Sequence, residues 1–126
     1  MSLGVGCVSE NVVIHELGHV VGFYHEHTRP DRDNYIDVIY DNIETGREDQ
    51  FHKARDGETD TLGLGYDLQS IMHYNRRTFS RNDLDTIQPK DRRITSFGNA
   101  RQLSPLDIAK ANKFYNCGKH FPHLKS

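Results

Sequence analysis

His15-Glu16-Leu17-Gly18-His19-Val20-Val21-Gly22-Phe23-Tyr24-His25 is the stretch whose reading decides the fold. Apolar Val12, Val13, Leu17, Val20 and Val21 recur at helical spacing behind Ser9, a residue suited to an N-cap, and Gly22 supplies a C-terminal stop. On that helix His15 and His19 stand one turn apart and project from one face, so two imidazoles can reach a single ion at about 2.0–2.1 Å. Glu16 is rotated from them by about 100° and can approach a water on the ion without being a ligand. A left-handed conformation at Gly22 would swing the chain back and deliver His25 as a third nitrogen donor. Three nitrogens and a water describe an open, catalytic zinc site rather than a closed structural one. Chance assembly of the whole pattern in a chain of this composition has a probability of about 0.01%.

Outward from this motif, Phe23 to Asp33 is polar, rich in His and Arg and interrupted by Pro30, which reads as an ordered loop. Tyr35 to Ile43 alternates weakly, as a short strand or an irregular crossing, and Glu44 to Phe51 suits a short helix. Arg55 to Gly65 collects Asp, Gly and Thr as a surface loop; Ser70-Ile71-Met72-His73-Tyr74 then forms a compact apolar island. Residues 75 to 101 read as coil with at most short strands. Ser104-Pro105-Leu106-Asp107 combines an N-cap, a proline at the first helical position and an acid in the first turn. Ile108, Ala111, Asn112 and Tyr115 continue that helix, Gly118 ends it, and residues 119–126 form a tail.

The chain has 126 residues, enough for one domain with a core and too few for two. Hydrophobic residues make up 35% and charged residues 27%, so the core is lean and calls for support from metal or cross-links. The net charge of −2, with both signs interspersed, leaves no footprint for nucleic acid. No run approaches the roughly 20 apolar residues of a membrane span, and the first residues lack a signal-peptide pattern. Met1 to Leu3 read as appended residues. Cys7 and Cys117 sit at opposite ends of the chain, and their spacing leaves three readings open: paired with each other, paired with other partners, or free.

The eleven-residue motif, followed by a methionine-containing turn, is the metzincin pattern. Its continuation Glu26-His27-Thr28-Arg29-Pro30-Asp31-Arg32-Asp33 resembles the astacin family, whose signature runs H-E-x-x-H-x-x-G-x-x-H-E-x-x-R-x-D-R-D. Thr78-Phe79-Ser80-Arg81, Leu84-Asp85-Thr86-Ile87 and Pro89-Lys90 are similar to its tolloid-like members, and the resemblance runs from about residue 7 to 117. It implies an α+β, zincin-like metzincin fold, here mainly the lower subdomain: an active-site helix, a C-terminal helix and much irregular structure. It implies one zinc ion per chain on His15, His19 and His25 with Tyr74 as a further, switchable ligand, Glu16 as general base, and Met72 packed beneath the metal. Zinc then polarises the scissile carbonyl, Glu16 moves the proton, and Tyr74 donates to the oxyanion.

Further implications follow from the same resemblance. Glu26 matches the glutamate that receives the mature amino terminus, although as an isolated surface residue it would carry no meaning. Arg29, Asp31, Arg32 and Asp33 are expected to brace the loop as ion pairs, each worth about 0–1 kcal/mol where exposed. His27, His52, His73, His120 and His123 are read as non-ligands. An acidic substrate residue after the scissile bond would be met by Arg92, Arg93 or Arg101. The family's catalytic domain has an upper half with a sheet before the zinc helix, and this chain begins almost at that helix. That half would supply the edge strand that aligns a peptide and the cysteines that pair with the counterparts of Cys7 and Cys117. The expected function is therefore a secreted, extracellular zinc metalloendopeptidase acting on matrix or growth-factor-related proteins. The alternative is a zinc-binding or partner-binding fragment without efficient catalysis.

Overall fold

Helix α1 (Glu10–Val20) ends through the conformation that Gly22 alone can adopt cheaply, with φ at +95°. The Phe23 N–H donates to the Gly18 carbonyl at 2.9 Å and the Gly22 N–H to the His19 carbonyl at 3.0 Å, the two bonds of a Schellman stop. The chain reverses there and runs back along the helix. The computed structural model describes residues 9–55 and 57–117. Cys7, Gly118, His120 and His123 lie outside them, and so does the expected pairing of Cys7; Cys117 is exposed.

After the reversal come one-turn 3₁₀ segments at Glu26–Thr28 and Arg32–Asn34, then strand β1 (Ile36–Val38). Two more such segments, Tyr40–Asn42 and Glu48–Phe51, precede the long irregular region, so the expected helix at 44–51 is reduced to a single turn. Strand β2 (Ile87–Pro89) pairs antiparallel with β1 in the register Ile36 to Pro89 and Val38 to Ile87. Around this two-stranded sheet gather Ile36, Ile43, Phe51, Ile87 and Phe97, all buried, with Val38, Leu68 and Phe79 packed against them. Gly98 is required where the chain passes this core. With φ at +65°, a Cβ there would meet the Tyr74 carbonyl oxygen at 2.2 Å.

Helix α2 (Pro105–Phe114) starts as its sequence predicts. The Ser104 hydroxyl accepts from the Asp107 N–H at 2.9 Å, and the Asp107 carboxylate accepts from the Ser104 N–H at 3.0 Å. That carboxylate reaches further. It also accepts from the Ser70 hydroxyl at 2.6 Å and from the Ile71 N–H at 2.9 Å, so the start of α2 is fastened to the 70–73 turn. Asp107 is wholly buried and Ser70 with it. The helix stops earlier than expected, at Phe114. Asn116, at φ +55°, takes the left-handed position, and the Cys117 N–H donates back to the Asn112 carbonyl at 2.9 Å. Asparagine tolerates this conformation almost as glycine does.

Both helices depart from the expected amphipathic packing. In α1, Leu17 is 48% and Val20 66% exposed, and the residue buried is Gly18; in α2, Ile108 and Tyr115 are exposed and the residue buried is Asp107. Ser9 precedes α1 in an extended conformation but makes no side-chain capping bond.

Replacing Asp107 with Ala removes the side-chain half of the capping box, leaves the Ser104 hydroxyl cap, and strands three buried donors, an expected loss of about 2–4 kcal/mol in unfolding free energy. Ile108→Ala, one residue on and exposed, should change it by less than about 0.5 kcal/mol. Chemical denaturation of both variants measures the difference, and equal effects would show that the carboxylate's bonds to Ser70 and Ile71 do not hold the helix.

Candidate metal centre

Carbonyl oxygens fix the orientation of two imidazoles on α1. A carbonyl can only accept, so His15 Nδ1, 2.7 Å from the Ile71 oxygen, carries a proton, as does His19 Nδ1, 2.8 Å from the Phe23 oxygen. In each neutral ring the lone pair is then on Nε2. Both Nε2 atoms face His25 Nε2, at 3.0 Å from His15 and 3.2 Å from His19. One proton on His25 could satisfy only one of these two contacts; the other would set lone pair against lone pair. Ligands held about 2.0–2.1 Å from one tetrahedral ion lie about 3.3 Å apart, which is close to the separation observed. Among the described residues, this is the group of His, Cys, Asp and Glu side chains that could hold a metal ion. The donor set fits zinc, and the Nδ1–H to carbonyl bonds are the outer contacts that a zinc-bound histidine normally makes.

Burial acts in the same direction. His25 is pushed down to about 3, chiefly by desolvation and then by its neighbours His19 and His15, so its ring is neutral at pH 7 and its nitrogen is free to donate.

The Met-turn forms the floor. Met72 is 1% exposed, and a Cβ on Gly18 would lie 2.5 Å from its sulfur, so glycine inside the helix motif is what allows the thioether beneath the histidines. The Met72 carbonyl accepts from the Glu26 N–H at 3.1 Å, tying the turn to the residue after His25. The Ile71 peptide links both layers: its oxygen holds His15 and its N–H is held by Asp107. The sequence suggested neither role. Gly18 sits at an unconstrained position of the motif, and the capping acid Asp107 carries no local sign of a partner 36 residues away.

The remaining expected residues fall into place as follows. Tyr74 lies with its ring 4.6 Å from that of His25 and stacked at 3.9 Å on His27; burial and then Asp49 hold its hydroxyl above its ordinary pKa. Glu16 and Tyr74 line one cleft of about 470 Å³ with His15, Asn99 and Arg101. His27 and His73 are buried and stay outside the cluster. His27 Nε2 donates to the Gln50 carbonyl at 2.9 Å, while His73 donates from Nδ1 to the Tyr74 carbonyl at 2.6 Å and accepts from the Tyr66 hydroxyl at 2.7 Å. Burial lowers His27 to about 3 and His73 to about 4.

Glu26 is 2% exposed, and its carboxylate accepts from Arg29 at 3.1 Å, from the Asp67 N–H at 2.9 Å and from Lys110. Arg29 pairs with Asp31, and Arg32 with Asp33. Both guanidinium groups are buried and bond to carbonyls as well as to carboxylates. Arg29 grips Asp31 through two bonds of 2.9 and 2.7 Å and donates to the Leu64 and Gly65 carbonyls. Arg32 bonds Asp33 and donates to the His27 and Phe51 carbonyls at 3.0 and 2.7 Å. A forked, planar donor suits carbonyls pointing inward from an irregular loop. Asp31 and Asp33 are held below the usual carboxylate range, Asp31 by the Arg29 hydrogen bonds and Asp33 first by Lys53.

Known proteins resemble this chain in sequence and fold. A family model described as Astacin, a peptidase family, matches residues 1–116. Zinc metalloproteinase nas-7 of Caenorhabditis elegans is 50% identical over 117 residues, covering 93% of this chain and 30% of that protein. Tolloid-like protein 1 of Homo sapiens is 51% identical over 121 residues, covering 93% of this chain and 12% of that protein. Among solved structures, High choriolytic enzyme 1 of Oryzias latipes, a hatching enzyme zinc-protease, superposes with a TM-score of 0.83 at 38% identity, over 90% of this chain and 56% of that one. The chain thus spans less than a third of these two full-length relatives. With a family match over almost its whole length and the same mixed fold of helices and few strands, the chain belongs to the astacin family of peptidases.

Proposed function

We propose that the chain carries the catalytic centre of a zinc metalloendopeptidase. The observation that carries this reading is the convergence of three Nε2 atoms at 3.0 and 3.2 Å, with two of the rings oriented by backbone carbonyls. His15, His19 and His25 are the zinc ligands in this reading, and Tyr74 is a further one. Zinc supplies Lewis acidity toward the scissile carbonyl and lowers the pKa of a water toward about 7. Glu16, adjacent to His15 on the cleft wall, accepts the proton of the attacking water and passes it to the leaving amine. Tyr74, a neutral phenol at pH 7 already at its ordinary pKa of about 10, donates to the oxygen on which negative charge develops.

Substrate reading belongs to the same cleft. Arg92 is engaged with Gln88 and Asp37, and Arg93 with Asp91. Arg101 lines the cleft and, among the described residues, pairs with no carboxylate, so it is the arginine placed to meet an acidic side chain after the scissile bond. Likeness to the tolloid-like relatives supports a secreted enzyme with extracellular matrix or growth-factor-related substrates. No described helix is long and apolar enough to cross a membrane.

The exposed stripe of Leu17, Val20 and Val21 on α1 supports a second element of the proposal. These 126 residues act as the zinc-binding half of a larger catalytic unit, whose other half covers that stripe and aligns the peptide. On its own the chain then binds zinc and cleaves poorly, because misplacing substrate by about 1 Å costs about 100-fold in rate.

Metal analysis after dialysis should give one zinc per chain, lost when His15 and His19 are both changed to Ala. Unchanged zinc content would dismiss the ligand assignment.

In a chain extended N-terminally to a full catalytic domain, Glu16→Gln should keep zinc and lose about 10²–10⁴-fold in peptide hydrolysis. Activity within tenfold of the parent removes Glu16 from the mechanism. Tyr74→Phe should lower kcat about 10²–10³-fold while KM moves by less than about threefold. A change confined to KM contradicts the oxyanion role. The extended parent should exceed the 126-residue chain by about 100-fold, and equal rates would end the two-half reading.

A further inference from the structure

A chain of polar contacts runs from the ion-paired loop to Tyr74 without touching the three imidazoles. The Tyr66 hydroxyl lies 2.7 Å from His73 Nε2, and His73 Nδ1 lies 2.6 Å from the Tyr74 carbonyl oxygen. A carbonyl only accepts, so Nδ1 carries the proton, Nε2 holds the lone pair, and the Tyr66 hydroxyl donates to it. Both ring nitrogens of a residue that is 4% exposed are thereby engaged, and the tautomer is fixed from both sides. Tyr66 is itself seated: its ring stacks on Tyr35 at 4.8 Å and 7°, and the Arg29 guanidinium stands 5.5 Å from its centroid. The His73 ring also meets Phe97 of the buried cluster edge to face at 5.4 Å.

Tyr74 is held most firmly at its backbone. Among the described residues, His73 supplies the donor to the Tyr74 carbonyl, and no backbone N–H reaches it. The Gly98 backbone closes over the same oxygen, since a Cβ there would lie 2.2 Å from it and 2.5 Å from Asn75 Cα. The phenol ring, by contrast, is in contact through ring faces, stacked on His27 at 3.9 Å and tilted against His25 at 4.6 Å. A hydroxyl that serves two positions in turn moves by rotation about Cα–Cβ, because rotation about Cβ–Cγ leaves a para hydroxyl in place. Where that swing ends depends on where Cα stands, and a functional group must be placed to within about 0.5 Å.

We propose that His73 is a positioning residue for Tyr74: its Nδ1–H, oriented by the Tyr66 hydroxyl, pins the Tyr74 peptide so that the phenol swings toward the metal centre from one fixed hinge. The two bonds of the imidazole have separate duties. Nε2 with Tyr66 orients the ring, and Nδ1 alone reaches Tyr74. A purely structural histidine would use both bonds to hold the fold and leave the phenol indifferent to which of them is lost. The inference rests on Tyr74 being a metal ligand, as proposed above.

The test uses the whole chain loaded with Cu(II) in place of zinc, since a site of imidazoles binds copper at least as tightly. A phenolate on Cu(II) gives a visible charge-transfer band, and Tyr74→Phe identifies it. His73→Asn places an amide nitrogen where Nδ1 stood and leaves the Tyr66 hydroxyl without its acceptor. His73→Gln places its amide near Nε2 and leaves the Tyr74 carbonyl without a donor. Each gives up one buried bond, so the two thermal midpoints should fall to a similar extent. Per bound copper, His73→Asn should keep the band within about twofold of the parent, whereas His73→Gln should weaken it about tenfold. Equal bands in the two variants, the reverse order, or a variant that does not fold even with copper bound assigns His73 to the fold and overturns the inference alone. A parent without the band, or a band that survives Tyr74→Phe, overturns the reading of Tyr74 as a ligand first, and this inference with it.

Discussion

Three imidazole nitrogens pointed at one another at 3.0 and 3.2 Å are the constraint on which the rest of the structure depends. Lone pairs brought that close repel unless a cation lies between them. Without that cation, the fold must hold an unfavourable arrangement by other means. Those means are visible one layer out. Ile71 and Phe23 carbonyls fix two rings, the Schellman stop at Gly22 sets the return path to the third, and the Met72 thioether fills the space that a Gly18 Cβ would have taken. Each of these is a short-range steric or hydrogen-bond restraint, which suits a site that must be correct to a fraction of an ångström.

Behind that layer the chain uses charge where larger domains use hydrocarbon. Five apolar side chains form the buried cluster, whereas Glu26, Arg29, Arg32, Asp67 and Asp107 are all buried ionisable residues. Buried pairs repay their desolvation poorly, so this arrangement is weak evidence for high stability. What it provides is direction. A guanidinium with five fixed donors can tie two carbonyls and a carboxylate at set angles, as Arg29 and Arg32 do, and an irregular loop has many inward carbonyls to satisfy. Metal binding, which contributes directly to folding free energy, then adds to a scaffold whose apolar core is modest.

The sequence made the site legible wherever the determinant is local. The i, i+4 histidines, the glycine reversal and the Ser104 cap all depend on residues within one or two helical turns, and each was readable from spacing. The cap's longer reach was not, since the same Asp107 carboxylate is shared with Ser70 and Ile71 and nothing in the four-residue cap pattern foretells it. The end of α2 was misplaced because Asn116 can take the left-handed turn before Gly118 is reached. The partners of Glu26 were not legible either, because two of the three, Asp67 and Lys110, come from far along the chain. Apolar periodicity marked both helices correctly yet failed to say what they bury. It reports that a stripe wants cover without naming what covers it.

That failure carries structural meaning in α1. His15 and His19 occupy one face of the helix, Gly18 meets Met72 beside them, and Leu17 lies about 200° around from His15 at 100° per residue, with Val20 and Val21 on the same far side. The helix is thus two-sided: a polar face turned to the metal centre and the Met-turn, and an apolar face turned to solvent, with Leu17 at 48% and Val20 at 66% exposure. A helix of 11 residues is marginal on its own in water and normally gains its stability by burying an apolar face. Here the described contacts secure the opposite face, through a thioether, two carbonyl bonds and the capping turn. The position of the histidines is consequently fixed from the Met-turn side, and whatever packs on Leu17 and Val20 can stiffen the helix without altering the direction in which its imidazoles point.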